Sequence, residues 1–177
     1  MTMTSMIDER WRDIRIGNSR RTIGEHGSLL CCISEMLAQA GNPMNPASLN
    51  RWLAENGGYS SRGDLIFDAI QPLGIQRRPH TGDGQLNSTV AAIGIALRRG
   101  LGVLIAVRRV PWRASEWIWL RVLMVSGADF SIHDPSLSPA ENYPVLLLPR
   151  YARPEQTLSD IIRDAQYYRV GLEQLRL

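Results

Sequence analysis

The spacing of apolar residues changes near Gly100 from a helical period to a strand-like one. Before that glycine, apolar residues recur every three to four positions, and residues that begin or end helices bound the segments, such as Asn45 before Pro46. This pattern predicts four helices, over residues 28–40, Pro46–Glu55, 64–73 and 88–99.

After Gly100 the apolar runs are short and rich in β-branched and aromatic residues, which is typical of strands. Helices followed by an antiparallel meander indicate an α+β fold, in which a helical N-terminal half packs on a sheet from the C-terminal half. We expect one domain over residues 1–136 and an extension or arm over 137–177 that packs on it. Strands are predicted over residues 103–107, 117–126, 130–133 and, more weakly, 143–148, and a last helix over 158–168.

Composition and charge exclude several classes of protein. The chain has 177 residues, of which 44% are apolar and 21% charged, as in globular proteins. The net charge is +3, and all 20 basic residues are arginine, scattered rather than clustered, so we predict no specific nucleic-acid binding. No apolar run has the length of a membrane span or the form of a signal peptide, and we expect synthesis in the cytoplasm without membrane insertion.

The two cysteines, Cys31 and Cys32, are adjacent within a predicted helix, where neighbouring side chains point about 100° apart. They are therefore expected to be buried, unreactive thiols. The three histidines, His26, His80 and His133, are far apart in sequence and show no metal-ligand spacing. We predict neither a metal site nor a cofactor.

Three local patterns occur together in one order along the chain. The first pattern combines Asp8-Glu-Arg-Trp11 with Thr22-Ile-Gly-Glu-His-Gly27, which leads into the first helix. The second combines the segment from Asn45 to Leu53 with Gly57-Gly58-Tyr59. The third combines residues 122–127 with Ile132-His-Asp-Pro135. Together they resemble papain-like cysteine peptidases of the bacteriocin-processing type, found in bacteria and bacteriophages. The resemblance covers about residues 6–136 and implies a papain-like fold.

The resemblance also implies where a thiol triad would lie, and this chain departs from the family at three of its four positions. Met6 stands where the family has the glutamine of the oxyanion hole, and Ser28 where it has the cysteine nucleophile. Arg121 stands in place of the histidine base, or Trp119 if the register slips by two, while Asp134 matches the orienting aspartate. We therefore expect Ser28 to begin a helix packed on the 122–126 strand, with Asp134 nearby on the next strand.

Ser28 has two interpretations, as a nucleophile or as the N-cap of its helix. A serine nucleophile needs a base, and a guanidinium cannot act as one. We favour the cap, because serine is a preferred residue there. Arg121 and Asp134 are expected either to form an ion pair that replaces the catalytic contact, or to leave Arg121 in solvent.

Trp112, Arg113, Trp117, Trp119 and Arg121 are candidates for a docking surface, because aromatic residues and arginine are typical of interface hot spots. The leading hypothesis is an inactive peptidase-like domain with a structural role, in which other protein subunits are its partners. Members of the resembled family occur in phage tails, which implies a tail-tip or baseplate protein of the virion. The alternatives are an active hydrolase that uses Ser28, and a cytoplasmic module that binds a peptide or leader without cutting it.

Overall fold

A computed structural model describes residues 3–78, 90–108, 117–141 and 143–171. Trp112, Arg113 and His80 lie outside these ranges. The helices are α1 (Ile23–His26), α2 (Ser28–Gln39), α3 (Pro46–Glu55), a 3-10 helix (Phe67–Leu73), α4 (Val90–Arg98), α5 (Leu147–Tyr151) and α6 (Leu158–Ile161).

Within the described ranges, the strands form one sheet in the order β1-β6-β2-β3-β4-β5, and each pair of neighbours is antiparallel. The α+β prediction is therefore confirmed. The strands are β1 (Ile75–Arg78), β2 (Gly102–Arg108), β3 (Trp117–Ser126), β4 (Asp129–His133), β5 (Val145–Leu146) and β6 (Ile162–Val170).

Each face of the sheet is covered by helices, so the described residues pack in three layers. On one face, Leu104 of β2 and Tyr168 of β6 belong to a core that they share with α2 and α3. On the other face, Val103 and Ile105 of β2 belong to a second core, shared with α4, α5 and α6. Because both faces are buried, β2 reads as a continuous apolar run without alternation.

Helix α2 is the central helix of the first core, since residues around most of its circumference are buried. It runs along β3, which places its first turn near the start of that strand and its last turns near the middle. Helix α3 has the bounds that the sequence predicts. The Asn45 side chain accepts a hydrogen bond from the Ser48 amide, and Pro46 occupies the first helical position, where its missing N–H is not needed.

The predicted helix over residues 158–168 is wrong beyond its first turn. Helix α6 ends at Ile161, and the chain continues as β6 between β1 and β2. The apolar residues here fit a helical period, but adjacent Tyr167 and Tyr168 are both fully buried, one in each core. A strand inside a sheet that is covered on both faces buries both tyrosine side chains, because neighbouring side chains of a strand point to opposite faces.

The segment after residue 136 is part of this sheet and does not extend away as an arm within the described residues. Strand β6 pairs with β1 and β2, and β5 pairs with β4. The N-terminal segment crosses to the same region, where the Met6 amide donates to the Pro135 carbonyl at 2.8 Å and Ser5 Oγ donates to the Leu137 carbonyl at 2.5 Å. The N-terminal segment is therefore held against the turn that follows β4.

Candidate functional site: the groove at the start of helix α2

Ser28 is the first residue of α2, and its hydroxyl is bound to the sheet rather than to its own helix. The Trp119 amide of β3 donates to Ser28 Oγ at 3.1 Å, and Gly27 occupies the cap position. The prediction that Ser28 caps the helix is therefore wrong. A glycine is required before it, because a Cβ at Gly27 would collide with the Ile23 carbonyl oxygen of α1.

One turn later, Cys32 Sγ donates to the Trp119 carbonyl oxygen at 3.6 Å. Positions 28 and 32 lie on one face of a helix, so α2 contacts both backbone polar groups of a single strand residue. Burial raises the pKa of the Cys31 and Cys32 thiols well above 9.0, and the nearby Glu35 carboxylate adds to the effect. Both thiols are therefore protonated at neutral pH and are not activated nucleophiles.

A groove of about 600 Å³ opens beside Ser28, between the helical layer and the start of β3. Aromatic side chains form much of its wall. The Trp119 and Phe67 rings meet edge to face, with centroids 5.5 Å apart, and Trp117 is 40% exposed at the groove end of the strand. The residues that line it are Ile16, Arg21, Glu25, His26, Ser28, Leu29, Leu30, Tyr59, Gly63, Asp64, Leu65, Phe67, Trp117 and Trp119.

The charged residues of the groove are engaged at its rim. Arg21 forms an exposed ion pair with Asp64 at 3.3 Å, and Glu25 closes a capping box with Thr22 at the start of α1. His26 is exposed and lines the same groove as Ser28. Among the described residues, no histidine or carboxylate hydrogen bonds to the Ser28 hydroxyl, and the residue as a whole is 5% exposed.

The structure separates Arg121 from the groove. Its guanidinium donates to the Gln39 side chain and lies 3.6 Å from Glu35 Oε2, and only 12% of the side chain is exposed. Both partners lie on α2, Glu35 about two turns and Gln39 about three turns after Ser28. The expectation that Arg121 either pairs with Asp134 or reaches solvent is therefore wrong, because Glu35 supplies a closer carboxylate on the same face of the sheet.

Asp134 follows β4 directly, is fully buried and contacts Tyr151 of the second core, whereas Arg121 contacts α2 of the first. Its Oδ2 accepts from Arg150 Nε and from the Tyr151 hydroxyl at 2.9 Å, and its Oδ1 accepts from the Ser136 amide and hydroxyl. Burial raises the pKa of Tyr151, and the Asp134 charge raises it further, so this hydroxyl stays a donor. The carboxylate is thus saturated with structural hydrogen bonds.

Glu35 and His133 form a buried polar cluster that the sequence interpretation did not include. His133 Nδ1 lies 3.0 Å from Glu35 Oε2, outside the angle of a straight hydrogen bond, and Nε2 lies 2.9 Å from the Thr4 carbonyl. Glu35 Oε1 accepts from the Thr4 amide at 2.7 Å. The cluster, with Arg121, fastens the N-terminal segment to α2 and β4. An acidic residue inside an otherwise apolar helix was the signal that could have revealed it.

Met6, at the position of the family's oxyanion glutamine, lies in the first core and is 1% exposed. It does not line the groove. The candidate residues are thus divided: Ser28, Trp117 and Trp119 share the groove, whereas Met6, Arg121 and Asp134 lie in three separate buried environments.

Over the ranges that the structure describes, no group of three or more histidine, cysteine, aspartate or glutamate residues is arranged to hold a metal ion. No helix in those ranges has both the length and the apolar character to cross a membrane.

Comparison with protein-family models, with curated proteins and with solved structures found no match. The assignment to the peptidase family thus remains a prediction from the sequence motifs.

Proposed function

We propose that this chain is a catalytically inactive, peptidase-like domain that holds a segment of a protein partner in the groove beside Ser28. The observation that carries this proposal is the contact between the Ser28 hydroxyl and the Trp119 amide. The family resemblance assigns the nucleophile to position 28 and, if the register slips by two residues, the base to position 119. In this structure a hydrogen bond connects these two positions.

The absence of an activated group supports inactivity. A serine hydroxyl becomes a nucleophile when a base removes its proton, and an indole ring cannot accept a proton from it. Trp119 stands at one of the two candidate base positions and Arg121 at the other, where it is paired with Glu35. The neighbouring thiols, Cys31 and Cys32, are buried and protonated.

The shape and lining of the groove support peptide binding. Its volume lies within the range of small-ligand sites, about 300 to 1,000 Å³. Tyr59, Phe67, Trp117 and Trp119 offer rigid apolar surface with a few polar edges, which suits an aromatic or branched side chain of a partner. Arg21 and Asp64 of the lining are paired with each other, so neither charge needs a partner from the bound segment.

The partner we propose is another subunit of a multi-subunit assembly, with a phage tail tip or baseplate as the expected particle. This part of the proposal rests on the family resemblance. The integration of β6 into the sheet favours the groove over a C-terminal arm as the contact surface. Exposed Trp117 is the accessible aromatic residue at the end of that groove.

The first test is hydrolysis. The purified chain, Ser28→Ala and Ser28→Cys are incubated with a mixture of quenched fluorescent peptides, and cleavage is followed by fluorescence and mass spectrometry. We expect no turnover from any of the three. If the wild-type chain cleaves a peptide and Ser28→Ala abolishes this turnover, the hydrolase alternative is established. His26, which lines the same groove, would then be the candidate base.

The second test is capture of a partner. The chain is co-expressed with the proteins of its genomic neighbours, and co-purification is compared for the wild type, Trp117→Ala and Met124→Ala. Met124 is a matched control, because it lies on the same strand, is 58% exposed and does not line the groove. We expect Trp117→Ala alone to reduce capture. Equal capture by both variants would show that the groove is not the contact surface.

A further inference from the structure

A second, smaller cavity of about 180 Å³ adjoins the groove, and Trp117 lines both. Trp117 and Trp119 are two residues apart on β3, so their side chains share a strand face and lie about 7 Å apart along the strand. Tyr151 and Ile161 of the second core also line the smaller cavity, so Trp117 connects the two, and a peptide that extends from Trp119 past Trp117 reaches it within a few residues. The residues that line this cavity are Arg108, Trp117, Tyr151, Gln156, Asp160, Ile161 and Arg163.

Two arginines lie against Trp117 at this cavity. Arg108 is the cross-strand neighbour of Trp117, and its guanidinium carbon lies 5.8 Å from the centroid of the indole ring. The guanidinium carbon of Arg163 lies 5.9 Å from the same centroid. Among the described residues, no carboxylate forms a salt bridge with either arginine.

The contact with the ring restrains both guanidinium groups and leaves their N–H donors for another partner. Stacked arginines bind carboxylates with two parallel hydrogen bonds, and restraint before binding lowers the entropy lost on binding. Both guanidinium groups lie within 6 Å of one ring centroid, and a bound anion would offset their combined positive charge.

Asp160 is the acidic residue of the cavity wall, and its carboxylate is already engaged. Oδ2 accepts from the Thr157 amide and hydroxyl, both at 2.7 Å, in the capping box of α6. These hydrogen bonds lower the pKa of Asp160, so the group is ionised and faces its own helix start. The two arginines therefore leave an excess of positive charge in the cavity.

We propose that this cavity binds a carboxylate of the partner peptide, so that the preferred ligand combines an apolar or aromatic residue with an acidic group. The apolar residue occupies the groove at Trp119, and the acidic group contacts Arg108 or Arg163 in the smaller cavity. The proposal rests on the proposed function, because it assumes that the groove binds a peptide. The carboxylate belongs to an aspartate or glutamate side chain or to the C-terminus of the peptide.

The experiment is selection from a random library of 12-residue peptides, in two forms with free or amidated C-termini, against the immobilised full chain. It is repeated with the double variant Arg108→Gln, Arg163→Gln and with the control Arg98→Gln, Arg99→Gln. The control removes the same charge from exposed residues at the C-terminal end of α4, Arg98 and the residue after it, which line neither cavity. Thermal unfolding checks that each variant is folded.

For the wild type and the control, we expect recovered peptides to carry an aromatic or branched residue and, two to four residues away, an acidic residue. Enrichment from the free-acid library alone would assign the cavity to the C-terminal carboxylate. The double variant is expected to lose the acidic preference and to bind a recovered peptide about tenfold more weakly, as for the loss of a charge-assisted hydrogen bond.

The outcomes separate the two proposals. Apolar enrichment without an acidic preference in the wild type would overturn the carboxylate site and leave the peptide-binding function in place. An acidic preference that persists in the double variant would also overturn it. No enrichment in any arm would overturn both.

Discussion

Helix α2 contacts β3 in two regions that differ in burial and in chemistry. Over its first two turns, Ser28 and Cys32 contact the backbone of Trp119 beside an open, aromatic groove. Two turns after Ser28, Glu35 contacts Arg121 and His133 in a largely buried cluster. Charged side chains thus join α2 to the sheet in the second region, whereas in the first region Ser28 and Cys32 contact backbone groups of Trp119.

This difference indicates which residues have structural roles and which remain available for binding. A buried charge without its partner is costly, so the members of the Glu35 cluster depend on one another. At the groove, the loss of one neutral hydrogen bond is a smaller cost. The substitutions that most disturb the fold are therefore expected to lie away from the groove.

The largest effect is expected for Glu35→Ala. This change leaves Arg121 and His133 without their carboxylate and the Thr4 amide without its acceptor. We expect a loss of about 3 to 5 kcal/mol in the free energy of unfolding, measured with urea, as for one partner of a buried ion pair. Glu9→Gln, at an exposed position, is the control. A loss similar to that of the control would mean that the cluster does not hold the N-terminal segment.

A second effect is expected at alkaline pH, from the two thiols between the regions. The folded chain raises the pKa of Cys31 and Cys32, so above about pH 9 the unfolded chain releases protons that the folded chain keeps. Stability is therefore present at lower pH and falls as pH rises, by about 1.4 kcal/mol per thiol per pH unit.

Urea unfolding between pH 8 and 10.5 measures this slope, with the variant Cys31→Ala, Cys32→Ala as control. The variant is expected to be less stable at pH 8 because of the cavities, but to show a shallower slope. Equal slopes would contradict buried, protonated thiols.

A double-mutant cycle tests whether Arg121 and Asp134 interact, by measuring the coupling energy between the two side chains. Asp134 and Arg150 share a hydrogen bond and are expected to show a coupling energy of about 1 to 3 kcal/mol in thermal unfolding. Arg121 and Asp134 have different partners and are expected to be additive within about 0.5 kcal/mol. Strong coupling of the second pair would support the ion pair that the sequence resemblance implied.

The smallest effect is expected at the groove. Ser28→Ala removes the acceptor of the Trp119 amide and should cost about 1 kcal/mol, because the orphaned N–H lies beside a groove that water can enter. The exposed Ser61 provides a control as Ser61→Ala. A loss of several kcal/mol, comparable with that of Glu35→Ala, would remove the contrast between the two regions.

The sequence by itself determined those helices and strands whose stabilising contacts lie within a few residues, or whose apolar spacing fits only one type of secondary structure. Helix α3 has its cap and first proline within a few residues, and the apolar period of α2 is sustained over three turns. The runs that became β2, β3 and β4 were also evident, as was the position of Ser28 at the start of α2. These features depend on backbone hydrogen bonds and periodicity that nearby residues specify.

Only the tertiary structure decided the rest, because it depends on residues distant along the chain. Strand β6 fits a helical period until β1 and β2 provide pairing on both sides. Glu35 contacts His133, about 100 residues away in sequence, and Thr4, about 30 residues away. The hydrogen-bond partners of Asp134 include Arg150 and Tyr151, which lie beyond the sequence motifs. A charged side chain pairs with whichever partner the packed fold places within reach, and local sequence does not encode that distance.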